Sequence, residues 1–190
     1  MKAPLQMRST ALLRSRLARA ILVLPLCFGT SAQSGKGSLG WAARAKCSSH
    51  GYEAEIQAAV RDVAAVWPLP ASIIKAVILR ESGFKRSALS SAGAVGLMQV
   101  LPSNAKALGF PPDALWNPSS NILAGARLLA VLLRHYQGDA ISALVAYNAR
   151  PRRRLAPLPD NRETPSYVRS VLLAWATFER CSAEGLSNKT

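Results

Sequence analysis

Apolar residues recur every three or four positions from about residue 52 to residue 180, the spacing that favours amphipathic helices. Proline, glycine and serine interrupt this pattern between segments and mark turns and helix ends. The segments predict helices over residues 52–67, 70–81, 101–108, 121–136, 139–147 and 165–180. No alternating strand pattern stands out, so the sequence predicts a single all-α domain over about residues 47–181, followed by a loose tail over 182–190.

The first 32 residues have the three-part layout of a secretory signal peptide. A basic region without acidic residues is followed by the apolar run 20–28 and then by small residues up to Ala32. The apolar run is too short to span a bilayer, which needs about 20 residues. We expect cleavage after Ala32, a flexible leader over 33–46 and a periplasmic location. The alternative interpretation is a short amphipathic or buried N-terminal helix.

The net charge of +14 first suggests an anionic partner such as nucleic acid. However, five of the positive charges lie in the predicted signal peptide, and removing them leaves about +9. Four more belong to one short cluster, formed by Arg150, Arg152, Arg153 and Arg154. Because the charge is local rather than spread over a surface, and no nucleic-acid motif appears, we expect no nucleic-acid partner.

The chain has three cysteines, and the first of them, Cys27, lies in the predicted signal peptide. Cys47 and Cys181 remain and bracket nearly all the predicted helices. Since an exported protein meets an oxidising compartment, we expect them to form a disulfide; two unpaired buried thiols are the alternative. No metal site is expected, because the chain has only two histidines and no His/Cys cluster.

One carboxyl group stands out because of its place at a predicted helix end. Glu81 ends an apolar helix and precedes a loop rich in glycine and serine. The helix dipole disfavours a negative charge there, and apolar surroundings would raise the carboxyl pKa further. A carboxyl group that is protonated near neutral pH can serve as a general acid. Taken alone, a glutamate at a helix end is usually an ordinary surface group.

Three further segments could surround this carboxyl group. The loop from Ser90 to Gln99 combines small residues with an amide side chain that could bind sugar hydroxyl and acetamide groups. Tyr147 and Asn148 end a predicted helix, and Glu163-Thr164 with Tyr167 begins another, with Thr164 as its expected N-cap. Each segment is weak evidence alone, since an ordinary loop, core packing or helix capping is then the more common explanation.

The order and spacing of these motifs together closely resemble the soluble lytic transglycosylase (SLT) domain, in the goose-type branch of the lysozyme-like superfamily. The motifs are Glu81-Ser82, Gly93 to Gln99 with Pro102, Asn117-Pro118, Asn121-Ile122 with Gly125, Ala146-Tyr147-Asn148, and Glu163-Thr164 with Tyr167. The resemblance covers about residues 52–178. It implies a lysozyme-like domain of about six helices around a substrate groove.

The resemblance also implies an activity and its site residues. The expected reaction is non-hydrolytic cleavage of the β-1,4 bond between N-acetylmuramic acid and N-acetylglucosamine in peptidoglycan, with no cofactor. Glu81 would be the single catalytic acid and base, and Glu163 a supporting carboxylate in the groove. The family pattern places Ser90 and Gln99 in the sugar-binding groove and Tyr147 near Glu81, with Asn148 as a further substrate-binding residue. Arg150 stands where the family commonly has glycine.

Two other functions are also compatible with the sequence. A hydrolytic muramidase on the same fold would need a second carboxylate, and Asp113, Asp139 and Asp160 are not obviously placed for it. A non-catalytic wall-binding module of a secretion or conjugation system would bind peptidoglycan in the groove but would not cleave it. The expected partners are peptidoglycan glycan strands, and we also consider a secretion or conjugation apparatus. We expect a monomer.

Overall fold

The computed structural model describes residues 47–149 and 163–184. Six α-helices and one 3-10 helix lie in these two ranges. They are α1 (Glu53–Val63), α2 (Ala71–Ser82), α3 (Pro102–Ala107), the 3-10 helix Pro112–Trp116, α4 (Pro118–His135), α5 (Ala140–Asn148) and α6 (Glu163–Ala183). The predicted signal peptide, leader and arginine cluster, and most of the tail, lie outside the described residues. None of the described helices is long and apolar enough to cross a membrane.

The all-α prediction is confirmed, and the differences lie at the helix ends. α1 stops at Val63 rather than at residue 67, since Pro68 and Pro70 follow and disfavour helix in the residues before them. α4 begins three residues earlier than expected, because the Asn117 side chain accepts a hydrogen bond from Ser120 N at 3.2 Å and caps the helix.

The expected capping role of Thr164 is wrong. α6 already includes Glu163, and Thr164 is a buried residue of its first turn. Its hydroxyl donates a hydrogen bond to Asn148 Oδ1 at 3.3 Å, which links α6 to α5. The expected N-cap of α5 is confirmed, because the Asp139 carboxylate accepts a hydrogen bond from Ile141 N at 3.0 Å.

The helix that carries Glu81 is the centre of the fold. Eight consecutive residues of α2, from Ser72 to Leu79, are buried, so this helix has neighbours on all sides rather than one apolar stripe. It packs most extensively on α6 and also contacts α1. Polar contacts join it to both neighbours. The buried ammonium of Lys75 pairs with Glu53 of α1 at 2.7 Å, and the Ser72 hydroxyl donates a hydrogen bond to Glu179 of α6.

A loop over residues 88–100 lies between α2 and α4 and is held mainly by one buried side chain. Asn121 of α4 is 1% exposed. Its Nδ2 donates to Val95 O at 2.8 Å and to Leu115 O at 2.9 Å, while its Oδ1 accepts from Met98 N at 2.8 Å. The amide thereby bonds to three buried backbone groups. Val95 O also accepts from Val100 N at 3.1 Å, so Met98 N and Leu115 O are the two groups that depend on Asn121.

Two glycines allow the loop to approach α4 this closely. A Cβ atom at Gly96, where φ is +78°, would lie 2.3 Å from Asn121 Nδ2. A Cβ atom at Gly125 of α4 would lie 2.5 Å from the sulfur of Met98. Both distances are far below van der Waals contact, so neither position tolerates a larger residue without a shift of the loop.

Cys47 and Cys181 form the expected disulfide across 134 residues. It ties the segment before α1 to the last turn of α6, and Cys181 is buried. Because the two ends of the described chain are joined, the helices between them form a closed loop that restricts the unfolded chain.

We expect Asn121→Ala to destabilise the domain strongly. It leaves two buried backbone groups, Met98 N and Leu115 O, without partners, and each such loss costs about 1–3 kcal/mol, so the free energy of unfolding should fall by about 2 kcal/mol or more. Urea unfolding measures this. The matched control is Asn117→Ala, which removes one exposed helix cap and should cost about 1 kcal/mol. Equal losses in the two variants would contradict the role given to Asn121.

Loss of the disulfide should also destabilise the domain. The double variant Cys47→Ser/Cys181→Ser is expected to lose about 2–5 kcal/mol of unfolding free energy, as is usual for a disulfide that closes a long loop in a small domain. Urea unfolding of the oxidised wild type, the reduced wild type and the double variant checks this. The two forms without the disulfide should unfold at similar urea concentrations, and an unchanged midpoint on reduction would contradict the prediction.

Candidate active site

Glu81 lies one residue before the end of α2, where the chain turns away from the helix. The helix is closed by Gly83, whose φ of +59° is left-handed and whose N–H bonds to Leu79 O at 3.1 Å. Glu81 therefore lies in the last turn of the helix, where the helix dipole disfavours a negative charge. This matches the expected position of the carboxyl group at a helix C-terminus.

The Glu81 carboxyl group has a specific partner on another helix. The hydroxyl of Tyr167 donates a hydrogen bond to Glu81 Oε1 at 2.7 Å. Tyr167 lies in the second turn of α6 and is 1% exposed. The guanidinium carbon of Arg80 lies over the same ring, 5.3 Å from its centroid. Glu81 is thus held between two helices, α2 and α6.

The surroundings bring the pKa of Glu81 close to neutrality. Burial raises it, whereas the hydrogen bond from Tyr167 and the positive charge of Arg80 lower it, and the result is a pKa raised from 4.5 to about 7. Burial is the largest of these effects because a charged carboxylate loses its hydration. A carboxyl group with this pKa is partly protonated at neutral pH and can both donate and accept a proton.

Tyr147 lies near this carboxyl group but does not bond to it. Its hydroxyl donates to Met98 O at 2.9 Å, which joins α5 to the loop. Burial, and next the charge of Glu81, raise the pKa of Tyr147 well above its ordinary value, so the two groups are close enough to interact. The hydroxyl that contacts Glu81 belongs to Tyr167, which the sequence motif included but which was not selected as a site residue.

The 88–100 loop contains the two predicted groove residues, Ser90 and Gln99. Ser90 forms a tight turn, in which its hydroxyl accepts from Ala94 N at 3.0 Å. Gln99 has a left-handed φ of +48°, and its Nε2 donates to Ala88 O at 3.1 Å and to Gly96 O at 3.0 Å. Both side chains therefore shape the loop, and the carbonyl oxygen of the Gln99 amide has no recorded partner among the described residues.

The loop is also tied directly to the end of α2. The hydroxyl of Ser82, the residue after Glu81, donates to Leu97 O at 2.8 Å and to Ile78 O at 3.2 Å. The Glu-Ser pair in the sequence thus combines a reactive carboxyl group with the side chain that fixes the loop beside it.

The last two predicted site residues lie where α5 and α6 meet. Asn148 ends α5, is half-buried and accepts the hydrogen bond from Thr164. Glu163 is the first described residue of α6 and is exposed. Among residues 47–149 and 163–184, no hydrogen bond or ion pair joins Glu163 to Glu81. A catalytic or binding role for either residue stays a prediction.

Comparisons with known proteins place this chain in a family. Residues 59–165, more than half of the chain, match the family model described as "Transglycosylase SLT domain". A transglycosylase of Enterobacteria phage PRD1 is 38% identical over 84 residues, which cover 44% of this chain and 31% of the phage protein. Membrane-bound lytic murein transglycosylase C of Glaesserella parasuis is 38% identical over 86 residues, covering 40% of this chain and 24% of that protein.

The fold is similar to that of a solved member of the same group. An inactive Glu-to-Gln mutant of the lytic transglycosylase Slt of Pseudomonas aeruginosa matches with a TM-score of 0.60 and 26% identity, over 73% of this chain and 25% of that one. The chain therefore belongs to the transglycosylase SLT domain family. It spans less than a third of the length of each of these relatives.

The raised pKa of Glu81 predicts a pH-dependent effect of Glu81→Gln on stability. Between pH 4.5 and about 7 the folded protein holds a proton that the unfolded chain releases, so this group makes the wild type less stable as pH rises. At about 1.4 kcal/mol per pKa unit, the full penalty above this range is up to about 3 kcal/mol. Glutamine carries no charge and keeps an oxygen that can accept from Tyr167.

Urea unfolding of both proteins at about pH 4 and about pH 8 tests this prediction. The variant should gain stability relative to the wild type as pH rises. A stability difference that stays the same at the two pH values would show that Glu81 ionises as freely in the folded protein as in the unfolded chain.

Proposed function

We propose that this protein is a peptidoglycan lytic transglycosylase. It cleaves the β-1,4 bond between N-acetylmuramic acid and N-acetylglucosamine and leaves a 1,6-anhydro end on the muramoyl residue. The observation that carries this proposal is the Glu81 carboxyl group, whose pKa of about 7 suits a group that both gives and takes a proton. Membership of the SLT family and the names of the transglycosylase relatives support the same reaction.

Glu81 acts twice in the proposed reaction. In the first step the protonated carboxyl group gives its proton to the glycosidic oxygen, and the bond from that oxygen to C1 of the muramoyl residue breaks. In the second step the 6-hydroxyl oxygen of the same residue bonds to C1, and its proton returns to Glu81. Because the nucleophile belongs to the substrate, one carboxyl group suffices and the enzyme regains its starting state.

Tyr167 fits both steps of this cycle. Its hydroxyl donates to Glu81 and so favours the ionised carboxylate that remains after the first proton transfer. Burial opposes that charge, and the balance of the two keeps neither form strongly favoured. The lytic transglycosylase Slt of Pseudomonas aeruginosa is inactive as a Glu-to-Gln mutant, which supports an essential glutamate in this reaction.

The hydrolytic alternative has less support, because hydrolysis needs a second carboxylate to position water. A carboxylate close to Glu81 would raise its pKa by repulsion, yet no carboxylate among the described residues has such an effect. Asp139 uses both of its oxygens at the start of α5. Asp160 lies outside the described residues.

The other predicted site residues complete the proposal. We assign substrate binding in the groove to Ser90, Gln99, Tyr147, Asn148 and Glu163. The Gln99 amide oxygen is available to a sugar N–H or hydroxyl group, since its Nε2 is occupied by the loop. The remaining four residues are assigned from the resemblance to the family motif.

The proposed substrate also indicates where the protein acts. Peptidoglycan lies outside the cytoplasmic membrane, so we propose export through the signal peptide to the periplasm. Two relatives are phage proteins, a transglycosylase of phage PRD1 and peptidoglycan transglycosylase gp16 of phage T7. A small wall-opening enzyme of this kind would also suit a secretion or conjugation apparatus, which we propose as its setting.

Mass spectrometry of the fragments released from purified sacculi tests the proposed function. The wild type should release anhydro-muropeptides, and Glu81→Gln should lower their rate of release by about 10²–10⁴-fold, the usual contribution of a general acid. Glu184→Gln, a change at the exposed residue that follows α6, is the matched control and should leave the rate unchanged. Reducing-end fragments would indicate hydrolysis, and binding without any release would indicate a non-catalytic wall-binding module.

A further inference from the structure

We propose that Arg80 is a positioning residue of the acid site: its guanidinium holds the Tyr167 ring where the phenol donates to Glu81, and its positive charge stabilises the ionised carboxylate. This inference rests on the proposed function of Glu81 and adds a residue to it. None of the sequence motifs above selects Arg80 as a site residue.

The geometry behind this proposal joins three side chains in a row. The guanidinium carbon of Arg80 lies 5.3 Å from the centroid of the Tyr167 ring, within the range of a cation–π contact. The hydroxyl of the same ring donates to Glu81 Oε1 at 2.7 Å. Arg80 and Glu81 are neighbours on α2, whereas Tyr167 lies on α6, so the phenol is held by two successive residues of the opposite helix.

An arginine suits this position for two physical reasons. Its planar guanidinium can lie flat on an aromatic face, which restricts the ring in a way that a flexible ammonium group does not. Its charge is also retained at every pH at which the enzyme could work. Arg80 is half-buried, so water screens its charge less than it screens that of an exposed residue.

Few charged or titratable groups in the described part of the chain act on the Glu81 carboxyl group. They are Arg80 from its own helix, Tyr167 from α6 and Tyr147 from α5. Lys85 and Arg86 follow in the loop but are exposed. Among these groups, Arg80 is the one whose fixed positive charge lowers the pKa of Glu81.

The test compares Arg80→Met, Tyr167→Phe and the double variant in two measurements. The first is the pH profile of kcat/KM for release of muropeptides, whose alkaline limb reports loss of the proton from Glu81. The second needs no activity: ¹³C NMR of the glutamate side-chain carboxyl groups follows the titration of Glu81, and the spectrum of Glu81→Gln identifies its signal.

In Arg80→Met, both the alkaline limb of the pH profile and the titration of Glu81 should move to higher pH. The carboxylate loses a nearby positive charge, and the Tyr167 hydroxyl is no longer held in position to donate to it. Tyr167→Phe should shift them in the same direction. The double variant should shift them by less than the sum of the two single shifts, since Arg80 acts partly through Tyr167. Arg80→Lys keeps the charge without the planar guanidinium and should lie between the wild type and Arg80→Met.

Arg61→Met, at an exposed arginine of α1, is the matched control and should titrate as the wild type does. An unchanged Glu81 titration in Arg80→Met would overturn the proposal, and so would shifts that add fully in the double variant. If the wild type released no fragments at all, the proposed function would fail, while the NMR titration would still decide whether Arg80 and Tyr167 act on Glu81.

Discussion

The hydrogen bonds of the Asn121 side chain hold together the part of the fold on which the site depends. This one amide satisfies the backbone of the 88–100 loop at Val95 and Met98 and that of the 3-10 helix at Leu115. Because all three groups are buried, the loop cannot move away from α4 without leaving polar groups unpaired. Gly96 and Gly125 supply the close approach that these bonds require. The loop is therefore fixed by polar satisfaction and by sterics together.

The fixed loop in turn connects the helices around Glu81. The Met98 peptide is bonded to α4 through its N–H and to α5 through its carbonyl group, which accepts the Tyr147 hydroxyl. The Leu97 carbonyl group accepts from Ser82 at the end of α2. From α6, the Tyr167 hydroxyl donates to Glu81. The backbone of this one loop is therefore bonded to α2, α4 and α5. The exposure and the pKa of Glu81 depend on how these helices pack around it.

The sequence was sufficient to predict the helices, the disulfide and the placement of Glu81 at a helix end, because periodicity, cysteine count and proline positions are local signals. It could not show which tyrosine contacts Glu81. Tyr147 and Tyr167 both lie on apolar helices, and which hydroxyl faces the carboxyl group depends on how α5 and α6 pack against α2. The same limit applies to Asn121, which a sequence motif contains but whose three bonds join segments up to 26 residues apart. The position of Thr164 likewise depends on packing, because its partner Asn148 lies on another helix.

The site works against the stability of the domain that contains it. A carboxyl group whose pKa is raised to about 7 weakens the fold at neutral pH, and the hydrogen bond from Tyr167 and the charge of Arg80 offset only part of that effect. A domain of this size has little stability to spare. The disulfide between Cys47 and Cys181 and the burial of Ser72 to Leu79 in α2 supply stabilisation that does not depend on the ionisation of Glu81. Placing the reactive group at the end of the most buried helix therefore has a physical logic: the helix that is best held by its neighbours can carry an unfavourable charge without unfolding.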